Sequence, residues 1–156
     1  MSARIALVFG VLALAGCQSG EPLHVSAAHE TVAAKVTAAA VRQNVPVKLA
    51  LAVTHVESRF RRNAVGPRTG SGHAMGAMQI LPSSARGLFG FSGAAADLLD
   101  CDTGIDYGMR HLALCWDLTG HDYGQSARCY VAGPMGLHNH SHYANAYVHW
   151  VLAAMQ

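Results

Sequence analysis

The chain has 156 residues, 13% of them charged and 51% hydrophobic, with a formal net charge of +2. That length suits one domain with a buried core. The near balance of charge, with no run of Lys or Arg, excludes a nucleic-acid partner, and the abundant alanine favours closely packed helices.

Residues 1–16 read as an export signal rather than as part of a fold. Arg4 and the amino terminus supply positive charge, and residues 5–15 are apolar apart from Gly10. This stretch is shorter than the about 20 residues a membrane-crossing helix needs, and small residues precede a cut site. Residues 21–27 form a linker. Residues 28–44 are Ala-rich, without Gly or Pro, and predict a helix. Pro46 suits the first turn of the next helix, where its missing N–H costs nothing. Leu49, Val53 and Val56 form the buried stripe of that helix, which closes on Glu57-Ser58. Gly66, Pro67, Gly70 and Gly72 make residues 60–75 a loop with room for a small hairpin. Pro82 opens a short helix, and residues 94–99 suggest another. Thr103 would cap a helix running to about Thr119, with Ile105, Met109, Leu112 and Cys115/Trp116 on one face. Residues 125–132 form a short helix stopped by Gly133-Pro134, and residues 141–155 form the last. No repeat and no sustained strand alternation is present. The prediction is a single all-α domain over residues 28–156, with at most a minor β-hairpin.

An exported protein works in an oxidising compartment, which favours one disulfide among Cys101, Cys115 and Cys129. Cys115 and Cys129 are equally far in sequence from Asp122. If residues 120–124 turn an antiparallel helix pair, the two thiols face each other. A Cys101–Cys129 pair and three buried thiols stay open as alternatives. The cysteine spacing does not match a zinc site. His138, His140 and His142 alternate in a loop, without a carboxylate or cysteine to complete a ligand set. No metal and no cofactor is expected.

General acid catalysis needs a carboxyl that keeps its proton near neutral pH. Of the three glutamates, Glu21 lies in the linker, Glu30 on the first helix and Glu57 at the end of an apolar helix beside a glycine-rich loop. Partial burial there would raise the carboxyl pKa and keep Glu57 protonated as a general acid. Asp97, Asp100, Asp102 and Asp106 cluster before the Thr103 helix and read as capping and surface residues. His55 points to a different helix face from Glu57.

The order Glu57-Ser58, then Gly76-Ala77-Met78-Gln79, then Tyr130-Val131-Ala132-Gly133, resembles the lysozyme-like lytic transglycosylases that cut bacterial cell-wall glycan, over roughly residues 45 to 151. The resemblance implies an all-α lysozyme-like fold and a single catalytic acid. Glu57 would protonate the oxygen linking MurNAc to GlcNAc, then act as base on the C6 hydroxyl of the same MurNAc. A 1,6-anhydro ring would close without water. By the same resemblance, Ser58 supports Glu57, Gly76 allows the backbone to approach the glycan, Met78 packs under a sugar ring and Gln79 offers its amide to sugar groups. Tyr130 would hydrogen-bond the Glu57 carboxyl. Tyr147, in a closing Tyr147-Val148 with Val151, would pack against the cleft floor. Three departures stand out: Ala77 for the usual Leu, Val131 for the usual Asn, and Gly66-Pro67 for Ser-Pro with an insertion over residues 68–75. A water-using muramidase, or a wall-binding or secretion-associated lipoprotein with little catalysis, remains the alternative.

Leu14-Ala15-Gly16-Cys17 resembles a bacterial lipoprotein signal, cut before Cys17, which then carries lipid. Residues 17–27 would be the lipidated cysteine and its linker. Several acyl chains hold a protein stably where one does so only marginally. Gln18 stands where an inner-membrane retention signal usually places Asp. The expected location is the periplasmic face of the outer membrane. The expected partners are peptidoglycan strands and the membrane through its anchor, with a monomeric chain whose small size is compatible with service to a secretion or cell-wall machinery.

Overall fold

Helix-favouring composition and regular apolar spacing shape most of the chain. The computed structural model describes residues 23–138 and 140–156, with side chains from Thr31 onward. The expected export signal and Cys17 lie outside the described residues. Helix α1 (Leu23–Arg42) buries Val32, Val36, Ala39 and Ala40 on one stripe. It begins inside the segment expected to be linker, because residues 23–27 contain no Gly or Pro to stop it. Helix α2 (Val47–Ser58) follows Pro46 and buries Leu49, Ala50, Ala52 and Val53.

The expected hairpin consists of β1 (Val65–Thr69) and β2 (Gly72–Met75), paired antiparallel with Thr69 opposite Gly72 and Val65 opposite Met75. Gly72 has φ +98, a backbone that L side chains rarely adopt. An irregularity between Val65 and Arg68 bends the first strand. Helix α3 (Pro82–Phe89) begins with Pro82 and stops at left-handed Gly90. After a 3-10 turn at Ala95–Leu99 comes α4 (Cys101–Leu118).

The cap of α4 differs from expectation. Asp100 takes the N-cap position, and its carboxylate accepts from the Thr103 N–H at 3.0 Å and from the Thr103 hydroxyl at 2.9 Å. Both residue types cap well. The carboxylate wins because it accepts two bonds at once and lies at the positive end of the helix. The other acids serve locally: Asp97 accepts from the Ala94 N–H, Asp102 pairs with Lys35, and Asp106 pairs with Arg110 at 2.9 Å.

Helix α5 (Tyr123–Ala132) is capped by Asp122, and α6 (His142–Ala154) by Ser141. A disulfide joins Cys115 of α4 to Cys129 of α5, with Cα atoms 5.5 Å apart, while Cys101 is a buried free thiol. α1 packs on α2 and α4, and α6 packs on α2 and α5. Leu49 and Val53 from α2, Met109 and Leu112 from α4, and Tyr147 and Val151 from α6 meet in the core. A smaller cluster of Ile80, Ala85, Phe91 and Leu98 supports the hairpin side. The result is an all-α lysozyme-like fold with one small hairpin.

Candidate active site

Glu57 sits on the last turn of α2. The chain then turns sharply, because Arg59 and Phe60 both take left-handed conformations, with φ 53 and 60. Such backbone is costly for residues other than glycine and concentrates at functional sites. The Arg59 N–H closes the helix on the His55 carbonyl at 2.8 Å, and Arg61 Nε donates to the Ser58 carbonyl at 3.0 Å. Burial pushes the Glu57 carboxyl pKa up to about 7. The Tyr147 hydroxyl opposes this by donating to Glu57 Oε1 at 2.6 Å, which favours the charged form.

The Gly76–Gln79 loop is fastened beside this carboxyl. Met75 and Ile80 exchange backbone hydrogen bonds at 2.9 and 3.0 Å across its base. Ser58 donates from its buried hydroxyl to the Ala77 carbonyl at 2.6 Å, so it ties the end of α2 to the loop. Gly76, at φ +75, meets protein rather than an open approach path: a Cβ there would lie 2.5 Å from the Leu98 carbonyl oxygen. Gln79 also has a left-handed backbone, with φ 51. Its Nε2 donates to the carbonyls of Ala64 at 3.1 Å and Gly76 at 2.8 Å. Both amide hydrogens are thus used within the protein, and only Oε1 remains to serve a ligand. A Cβ at Gly66 would stand 2.7 Å from that oxygen, which gives the Gly66 departure a physical reason.

Three further expected roles change. Met78 does not lie under a ligand: it is fully buried, and its Cβ fills the space over Gly108. Tyr130 donates its hydroxyl to the Met78 carbonyl at 2.6 Å instead of to Glu57. Tyr147, expected only to pack, is the residue that bonds the Glu57 carboxyl. The Met78 side chain is apolar and the loop turns it into the core, which leaves its carbonyl facing α5 and Tyr130.

Glu57, the hairpin residues Pro67, Thr69 and Ala74, and Ile80, Leu81, Tyr130 and Val131 line one cleft of about 260 Å3, together with Gln79, Ser84, His111 and Tyr143. Residues 68–75, the expected insertion, contribute one wall of it. Among the described residues, Glu57 is the only carboxylate on this lining. His111 and Tyr143 were not singled out from the sequence. His111 follows Gly104 and Gly108 at helical spacing, and all three are buried on α4. A histidine on a face kept clear by two glycines was the available signal. Tyr143 is 61% exposed at the start of α6, a position without a distinguishing pattern.

No curated protein matches the sequence. Among solved structures, an inactive mutant of the lytic transglycosylase Slt from Pseudomonas aeruginosa superposes with a TM-score of 0.62 at 21% identity. The match covers 86% of this chain and 24% of that one, so the chain spans only a small part of its length, and the likeness is one of fold. The sequence itself matches the model of the Transglycosylase SLT domain over residues 35–152, a stretch that contains both Glu57 and Tyr147. The chain belongs to the SLT transglycosylase domain family.

Proposed function

We propose that the chain is a peptidoglycan lytic transglycosylase in which Glu57 serves as acid and then as base. The observation that carries this is a single cleft carboxyl raised to about 7 by burial and held by a tyrosine hydroxyl. At neutral pH a large share of Glu57 carries its proton, as an acid catalyst requires. Tyr147 holds Oε1, and in this reading Oε2 is the oxygen that handles the substrate proton. The proton passes to the glycosidic oxygen, and the bond between that oxygen and C1 of MurNAc breaks. The C6 oxygen of the same sugar bonds to C1, and its proton returns to Glu57. No water is consumed, and the substrate supplies the nucleophile that a second carboxylate would otherwise provide or activate. The lack of a second acid among the described cleft residues supports this route over hydrolysis. Ser58 and Gln79 act as positioning residues through the loop, and Tyr130 holds that loop from α5.

The same proposal places the protein on the periplasmic face of the outer membrane, tethered through a lipidated Cys17 after removal of residues 1–16. It acts there on glycan strands as a monomer. The supporting feature is the Leu14-Ala15-Gly16-Cys17 sequence.

Mass spectrometry of the soluble products from purified peptidoglycan tests the chemistry. The wild type is expected to release 1,6-anhydro muropeptides and Glu57→Gln none. Reducing-end products would replace the lyase with a muramidase. Tight binding to sacculi without any release would leave a wall-binding protein.

A further inference from the structure

Helix α6 carries three aromatic rings close together. Tyr143, Tyr147 and Trp150 follow one another at spacings of four and three residues, so they neighbour one another on the helix surface. Tyr147, in the middle, is 2% exposed and holds Glu57, whereas Tyr143 and Trp150 are 61% and 48% exposed. These outer two rings meet edge-on, with centroids 6.2 Å apart. Tyr143 also lines the Glu57 cleft, and its phenol pKa is raised by partial burial and by the charge of Glu57. The pair therefore begins at the cleft and continues along α6 outside it. The spacing acquires its meaning from the contact between Tyr147 and Glu57.

Single exposed hydrophobic side chains are ordinary. Two large rings in contact, continuous with a cleft, are a surface. The chemistry around them narrows its occupant. α6 contains no Lys, Arg, Asp or Glu, so it offers nothing to attract an anionic lipid headgroup or a charged peptide. A phenol and an indole each join an apolar face to a polar tip. A neutral pyranose ring has the same character, with C–H bonds on its faces and hydroxyls at its rim. Continuity with the cleft makes the glycan itself that occupant. We propose that Tyr143 and Trp150 form an outer subsite, a shelf on which a sugar of the same strand stacks beyond the bond held at Glu57. The shelf rests on the glycan-cleft function proposed above and adds a place where the strand is held outside the cleft. Trp150 is then a binding residue with no part in the proton transfer.

The chain has two tryptophans, and Trp116 packs on His121 and Tyr123. Trp116→Phe thus leaves Trp150 as the only indole reporter. The full chain with this change and Glu57→Gln, which prevents turnover, is titrated with chitohexaose. Trp150 emission should shift to shorter wavelength, and its quenching by acrylamide should fall. Calorimetry on the Glu57→Gln chain gives the affinity. Trp150→Ala should weaken binding by about tenfold, the scale of burying part of one aromatic ring, and Trp150→Phe by no more than about threefold. With Glu57 restored, Trp150→Ala should raise KM on glycan strands and leave kcat unchanged, a split that general loss of structure would not produce. If chitohexaose binds, either a silent Trp150 emission or an unchanged affinity in Trp150→Ala overturns the shelf and leaves the cleft standing. A Trp150→Ala chain that keeps its glycan affinity but loses affinity for phosphatidylglycerol vesicles assigns the rings to the membrane surface and likewise overturns it. Failure of the Glu57→Gln chain to bind chitohexaose overturns both the shelf and the cleft reading beneath it.

Discussion

The proton on Glu57 is governed by two opposing local effects. Burial raises its pKa to about 7, while the O–H of Tyr147 stabilises the carboxylate and pulls the value back. If Glu57 acts first as the protonated acid, as proposed, kcat/KM should be flat on the acid side of about pH 7. It should fall about tenfold per pH unit above, as the free enzyme loses that proton. Tyr147→Phe removes the donor that favours the charged form. The alkaline limb should therefore move to higher pH, while the plateau rate drops by about 10 to 100-fold because the carboxyl loses its orientation. A pH profile of both proteins measures the two effects together; a limb that stays in place would show that Tyr147 does not tune the acid. Glu57 could be picked out from sequence because an acid closing an apolar helix beside a glycine-rich loop is uncommon. The division of work between Tyr130 and Tyr147 could not. Both are buried tyrosines on short helices, and which hydroxyl reaches the carboxyl depends on how α6 crosses α2, a tertiary property with no local signature.

Individual side chains reach their places because the elements approach closely, and glycines set that approach. Gly104 and Gly108 lie on the face of α4 turned toward the Gly76–Gln79 loop. A Cβ at Gly104 would be 2.4 Å from the Leu98 carbonyl oxygen, and one at Gly108 would be 2.5 Å from Met78 Cβ. Met78 Cβ is next to the backbone, so a rotamer change cannot relieve that clash. The loop would have to move. Gly108→Ala should accordingly destabilise the protein by about 1–3 kcal/mol, more than offsetting the gain in helix propensity. Urea unfolding should show a lower midpoint at unchanged slope. Activity should fall as well, since the Met78 carbonyl that anchors Tyr130 shifts with the loop; a neutral result would mean that α4 and the loop are not in contact. The helices themselves were legible from spacing and caps. The early start of α1 and the Asp100 cap were not, because boundaries turn on competition between neighbouring residues of similar propensity. The hairpin could be placed only as a region, since its pairing depends on a bulge and a left-handed glycine rather than on alternating strands.

Across the whole molecule, the cleft depends on helices far apart in sequence holding one geometry. Glu57 and Tyr147 come from α2 and α6, while Tyr130 and Val131 arrive on α5, a short helix of ten residues that cannot be stable alone. Packing against α6 and α4 fixes α5, together with the Cys115–Cys129 disulfide to α4. The bond closes a loop with a sequence separation of 14, for which restriction of the unfolded chain is worth about 3 kcal/mol. That is a substantial part of the about 5–15 kcal/mol that holds a domain folded. Replacing both cysteines with serine should lower the melting temperature by roughly 6–12 °C. Treating the wild type with reductant should produce the same shift, and reductant should leave the double variant unaffected. Cys101 provides the internal control: it is buried and unpaired, so Cys101→Ala should leave the reductant-induced shift intact. A wild type insensitive to reductant would mean that packing alone secures α5. A reductant shift that disappears in Cys101→Ala would mean that Cys101 takes part in the stabilising bond. The equal spacing of Cys115 and Cys129 about Asp122 pointed to their pairing, but left Cys101 as a competitor until the helix pair was in place.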